Sequence, residues 1–109
     1  MKLLNIFDSI PANLNAEVFE DILKLSNLRV ERIISKGQST PEGEWYDQEE
    51  GEWVLLLEGH AILEFGNEEY ITLKKGDYLN IPARQKHKVK WTDPDHVTIW
   101  LAIFYKDAD

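Results

Sequence analysis

Trp45-Tyr46-Asp47-Gln48-Glu49-Glu50-Gly51-Glu52-Trp53-Val54-Leu55-Leu56-Leu57-Glu58-Gly59 is the stretch whose reading decides the fold. It reads as a β-hairpin. Trp45 to Gln48 end one strand, Glu49-Glu50-Gly51 make a three-residue loop, and Glu52 to Leu57 return until Gly59 stops them. A three-residue hairpin loop sets its last residue in the left-handed region, where glycine carries no Cβ penalty, and Gly51 stands there. In that register Gln48 lies opposite Glu52, and both side chains leave the same face. If that face is interior, two oxygen-bearing side chains beside an apolar strand need a partner, because buried polar groups without one are costly.

Downstream of the hairpin the period of two continues. Ala61, Leu63 and Phe65 alternate with His60, Ile62 and Glu64, and Gly66-Asn67 marks a turn. Tyr70 to Leu73 and Tyr78 to Ile81 are short strands on either side of Lys74-Lys75-Gly76-Asp77. His87, Val89 and Trp91 alternate with Lys86, Lys88 and Lys90, and His96 to Tyr105 is a last long strand. Upstream, Leu28 and Val30 alternate with Arg29 and Glu31, ahead of a loop from Gly37 to Gly43. Before Leu28 the period changes. Val18, Phe19, Ile22, Leu23 and Leu25 form one apolar stripe at helical spacing, and Asn15 is a suitable N-cap, so an N-terminal helix is expected within an extension of about residues 1–27. Seven or eight strands without crossover helices predict an all-β domain, a small antiparallel barrel or jelly roll over about residues 28–105.

The 109 residues fit one domain, with 43% hydrophobic and 29% charged residues, ordinary for a soluble globular chain. Twenty acids against 12 Lys and Arg leave a formal charge of -8, which argues against nucleic acid or an anionic membrane surface as partner. There is no cysteine, hence neither disulfide nor thiolate chemistry. No apolar run approaches bilayer length, and Met1-Lys2-Leu3-Leu4 is followed by Asn5 and Asp8 rather than by the apolar core of a signal peptide, so a cytoplasmic location is expected.

His87 faces inward, since it lies opposite three lysines that cannot all be buried. An inward histidine is either hydrogen-bonded in the core, to Glu52 or Gln48, or a metal ligand through a ring nitrogen with Glu52 as carboxylate partner. Which third side chain joins them depends on the loop. The three-residue loop turns Gln48 and Tyr46 inward with Glu52, whereas a four-residue loop or a bulge brings in Asp47 instead. Tyr46, Tyr78, Trp91 and Trp100 are aromatic candidates for lining a pocket. His60 and His96 are expected at the surface. No serine stands where a triad would need it, and no glycine-rich phosphate loop is present.

Gly76, Pro82 and His87, separated by five and four residues, follow Glu52 and Gly59, separated by six. This spacing resembles the two motifs of the cupin superfamily, over roughly Gly37 to Trp91, with 16 residues between Gly59 and Gly76. Arg84 stands where that family usually has glycine. The family's His-x-His pair falls on Tyr46 and Gln48 with the shorter loop, or on Trp45 and Asp47 with the longer, and neither frame contains a histidine. The resemblance implies a small cupin barrel binding a divalent metal (zinc, nickel, manganese or iron) through Gln48, Glu52 and His87, with a small polar ligand beside it and Tyr46 as an acid or orienting hydroxyl. The alternative is a metal-free binding or sensor module in the same barrel mouth. Strands apolar on both faces add the expectation of a homodimer. Trp53, Leu55 and Leu57 oppose Val54 and Leu56, and Val97, Ile99, Leu101 and Ile103 oppose Trp100, Ala102 and Phe104.

Overall fold

Period-two alternation becomes eight β-strands in a computed structural model that describes residues 1–106. They are β1 (Val18–Lys24), β2 (Leu28–Ser35), β3 (Gly51–Glu58), β4 (His60–Phe65), β5 (Tyr70–Lys74), β6 (Tyr78–Ile81), β7 (His87–Thr92) and β8 (Thr98–Tyr105). A five-stranded sheet runs β1-β2-β8-β3-β6 and a three-stranded sheet β5-β4-β7, with every pairing antiparallel. Their inner faces meet in one core that includes Val54, Leu56, Leu63, Phe65, Ile81, Trp100, Ala102 and Phe104. Seven of these are alternate residues of β3, β4 and β8, and Ile81 joins them from β6, as burial of one face of each sheet requires.

The expected N-terminal helix is absent from the described residues. Its apolar stripe is β1, an edge strand on β2, with the register shifting between Asp21 and Leu23. The extra residue of a β-bulge turns alternation into adjacent apolar pairs. Val18-Phe19 followed by Ile22-Leu23 therefore imitates helical spacing while pairing as a strand.

The expected hairpin is also corrected. Gly51 opens β3 and pairs with Tyr105 of β8, while β3's other neighbour is β6. Residues 45–48 cross to the other sheet, where Tyr46 bridges His87 through N–H···O bonds of 2.8 and 3.1 Å. Gly51 does not have a positive φ. Its lack of a side chain admits the Tyr105 ring, which a Cβ would overlap. Gly59, between β3 and β4, does have a positive φ of 92°, and a Cβ there would approach the Val97 carbonyl and Thr98.

The outer face of the larger sheet presents Val30, Ile103, Trp53, Leu101 and Leu55 in register, all half-buried, with the Tyr78 ring 5.6 Å from that of Trp53. Beside them the buried Arg32 ties down the N-terminal segment. Its guanidinium donates to the carbonyls of Ile6 and Asp8 and pairs with Glu20. Among the described residues no helix is long and apolar enough to cross a membrane.

Candidate functional site

A cavity of about 340 Å³ opens between the two sheets. Each strand that reaches it contributes alternate residues: Glu17 and Phe19 at β1, Arg29, Glu31 and Ile33 from β2, Glu52 and Val54 from β3, His87 and Val89 from β7, Trp100 and Phe104 from β8. Tyr46 and Gln48 enter from the crossing segment, with the same spacing of two. Leu63 and Ile81 complete the apolar floor.

The polar centre is His87, 3% exposed. Its Nδ1 lies 2.9 Å from the Gln85 carbonyl, which can only accept, so Nδ1 carries the proton. Its Nε2 lies 3.0 Å from Glu52 Oε1, and Gln48 donates its amide to the same oxygen over 3.2 Å. The Tyr46 ring stacks on the imidazole, with centroids 5.6 Å apart. Burial alone would lower the His87 pKa. The Glu52 hydrogen bond, the Gln85 carbonyl and the Glu52 charge outweigh it, and the imidazole is held above its ordinary value.

Glu17 and Tyr46 are shifted upward, each mainly by burial. Ser35 donates a 2.6 Å hydrogen bond to Glu17, which pulls back against that shift. The charges of Glu17, Glu52 and Glu44 add to the rise at Tyr46, so its hydroxyl stays protonated. At the rim, Arg29 grips Glu50 with both oxygens at 2.6 and 2.7 Å, meets Glu31 at 2.9 Å and lies 4.0 Å over the Phe104 ring.

Gln48, Glu52 and His87, foreseen together, do come together, although the crossing segment rather than a hairpin delivers Gln48. Asp47 is exposed and lies 3.6 Å from Arg84. Arg84 takes a positive φ of 65° where the cupin pattern has glycine, donates its N–H to the Gln48 carbonyl over 2.8 Å, and also meets Glu49. It thereby clamps residues 47–49. Tyr46 lines the cavity, but Tyr78 and Trp91 lie outside it. Tyr78 pairs with Leu55 on the outer face because Glu52 pairs with Ile81. Trp91 is turned out by a bulge: Leu63 pairs with Val89 but Ile62 with Trp91, leaving Lys90 extra. Glu17, Phe19, Arg29 and Glu31 were not foreseen as lining residues. The sign at β2 was Ile33, two and four residues beyond Glu31 and Arg29, whose parity puts the charged pair inside.

A metal can be tested against this donor set. His87 and Glu52 are strong donors, and Gln48 is a neutral one that presents its amide nitrogen to Glu52. No group of three or more His, Cys, Asp or Glu able to hold a metal ion occurs among the described residues. Two strong donors already bonded to each other do not make a protein-closed site, which calls for three or four.

An antiparallel two-sheet barrel with a polar cluster in an otherwise apolar interior defines a class of small β-barrel proteins. Within it, the Cupin_2 (Cupin domain) family model matches residues 31–104, and the chain belongs to that family. It is similar to the crystal structure of a "putative mannose-6-phosphate isomerase" from Ralstonia eutropha JMP134, with 38% identity, a TM-score of 0.92, and 98% of this chain and 100% of that one covered. A cupin superfamily protein from Desulfitobacterium hafniense DCB-2 (20% identity, TM-score 0.75, coverage 90% and 84%) shares the fold. So does the TT1209 protein of Thermus thermophilus (17%, 0.79, 97% and 98%). No curated protein matches the chain.

Proposed function

We propose that this cupin is a small-molecule-binding protein whose cavity holds an organic ligand against apolar and aromatic walls, with the His87–Glu52–Gln48 cluster orienting it and no metal at its centre. The carrying observation is that these three side chains are hydrogen-bonded to one another beside a cavity of ligand size. A sugar phosphate, the ligand class that the name of the Ralstonia protein raises, suits the cavity poorly. Its phosphate would meet Glu17, Glu31 and Glu52, and the one lining guanidinium, Arg29, is already paired with Glu50 and Glu31.

The metal reading keeps one supporting observation. The proton on Nδ1 leaves Nε2 aimed at Glu52, the arrangement that second-shell carbonyls impose on ligating histidines. A divalent ion held by His87, Glu52 and Gln48 would supply Lewis acidity toward a carbonyl or carboxylate. Native mass spectrometry and elemental analysis of protein purified without a histidine tag separate the two readings. An organic adduct released on denaturation, with metal far below one equivalent, is the expected result. One equivalent of metal retained by wild type and lost in His87→Ala would overturn the proposal.

A further inference from the structure

The cavity described above has an unequal supply of hydrogen-bonding atoms. Glu52 Oε1 accepts from both His87 and Gln48, which leaves Oε2. Glu17 takes Ser35 on Oε2 and Glu31 takes Arg29 on Oε2, which leaves Oε1 of each. Gln48 donates through its side-chain amide nitrogen, which leaves its side-chain oxygen Oε1. These four oxygens have no hydrogen-bond partner among the described residues, yet no buried side-chain polar atom there lacks one. They therefore keep access to open space, and their residues line the cavity. The lining's counterpart donors are the Tyr46 hydroxyl, the Trp100 indole N–H, the second amide hydrogen of Gln48 and the remaining N–H groups of Arg29. Of these only Arg29 carries charge, and that charge is already paired with Glu50 and Glu31.

Charge follows the same pattern. Glu52 faces His87 and Glu31 faces Arg29, but Glu17 has no cationic partner among the described residues. Burial pushes its carboxyl above the ordinary range, the mark of a charge that the protein leaves uncompensated. Around these acceptors stand the rings of Phe19, Tyr46, Trp100 and Phe104, and Phe104 already carries the Arg29 guanidinium at 4.0 Å.

We infer that the ligand of this cavity is a compact organic ammonium, whose N–H groups fill the unpartnered carboxylate oxygens of Glu17 and Glu52 while its apolar body lies among the aromatic rings. The inference rests on the small-molecule reading given above and adds the chemical class. Unpartnered acceptors reject an anion by repulsion and a neutral hydrocarbon by desolvation. A cation gains from the carboxylates and from the ring faces together.

Three probes of similar size separate charge from shape: 2-phenylethylammonium, 2-phenylethanol and phenylacetate. Each is titrated into full-length protein near neutral pH in about 150 mM salt, which screens the general acidity of the surface. The readouts are amide and Trp100 indole shifts in 1H–15N NMR. The expected order is ammonium, alcohol, phenylacetate, with the ammonium about tenfold tighter than the alcohol, equivalent to about 1.4 kcal/mol. The shifts should fall on Val89, Trp100 and their neighbours, and Glu17→Gln should collapse the ammonium-to-alcohol ratio. Phenylacetate binding as tightly as the ammonium would overturn this inference and leave the small-molecule reading standing, as would a ratio unchanged in Glu17→Gln. Failure of all three probes to shift the cavity resonances would overturn both.

Discussion

Glu52→Gln should reverse the sign of the pH dependence of stability. In the wild type the His87 side chain is 4% exposed and that of Glu52 12%, with 3.0 Å between Nε2 and Oε1. Burial opposes the imidazolium, but the Glu52 hydrogen bond, the Gln85 carbonyl and the Glu52 charge together prevail and hold the folded pKa above the unfolded value of 6.5. The pair's stabilisation is therefore complete below 6.5 and is lost as pH rises through the raised pKa. In Glu52→Gln the carboxylate contribution is gone and burial governs. The folded pKa of His87 drops below 6.5, and the variant loses stability as pH falls beneath 6.5. A buried hydrogen bond to a charged group contributes about 1.5–3 kcal/mol, so the variant should trail wild type by that amount at pH 5.5 and by under about 1 kcal/mol at pH 8.5. For a domain of this size the acid-side loss is a Tm decrease of about 10 °C. Urea unfolding followed by tryptophan fluorescence at three pH values measures it. An equal loss at pH 5.5 and 8.5 would refute the ion pair and leave a neutral imidazole at the site.

Zinc added to metal-stripped wild type should leave Tm unchanged within error, whereas Gln48→His, which sets a second imidazole beside Glu52 and His87, should confer a zinc-dependent rise; Asp47→Ala, altering an exposed side chain, should do neither. Gly59→Ala should cost about 2–4 kcal/mol or prevent folding, because φ is positive and the new Cβ meets the Thr98 backbone; normal expression with an unchanged unfolding midpoint would contradict this. The outer face of the larger sheet should pair with a second copy, so sedimentation at micromolar concentration should report a dimer that Trp53→Glu dissociates, and a wild-type monomer would end that expectation.

Seven strands from Leu28 onward were legible because each buries one face, and burial of one face writes a period of two into the sequence. What failed was irregular pairing. One bulge made β1 resemble a helix, and another turned Trp91 from the inner face to the outer one. A bulge inserts one residue and leaves no compositional mark, so alternation alone does not locate it. The hairpin failed for a different reason. Gly51 satisfies both a left-handed turn and a close approach of the Tyr105 ring, and only the partner strand tells these apart. His87 does face inward, but the flanking lysines are only part of the reason, since Lys88 is itself buried, its ammonium 4.4 Å over the Trp45 ring. The pairing of Glu52 with His87 was legible through motif spacing. Glu17 was not, because its place in the cavity depends on the strand that read as a helix.

The division between frame and chemistry follows from these positions. β3, β4 and β8 bury their inner residues in the apolar core, so a substitution there carries a cavity or overpacking cost. Most of the polar lining sits elsewhere: Glu17 just ahead of the edge strand β1, Arg29 and Glu31 toward the rim of β2, and Tyr46 and Gln48 on a segment joined to β7 by one bridge. That segment is held chiefly by the two Tyr46–His87 backbone bonds and by Arg84, which closes on the Gln48 carbonyl and the carboxylates of Asp47 and Glu49. Changing Gln48 alters what His87 and Glu52 present to a ligand without breaking a strand ladder. Retaining Glu52 and His87 while replacing the His-x-His pair by Tyr46 and Gln48 is therefore a structurally inexpensive change. On the function proposed above, it would turn a set of metal donors into a hydrogen-bonded wall and leave the barrel around it intact.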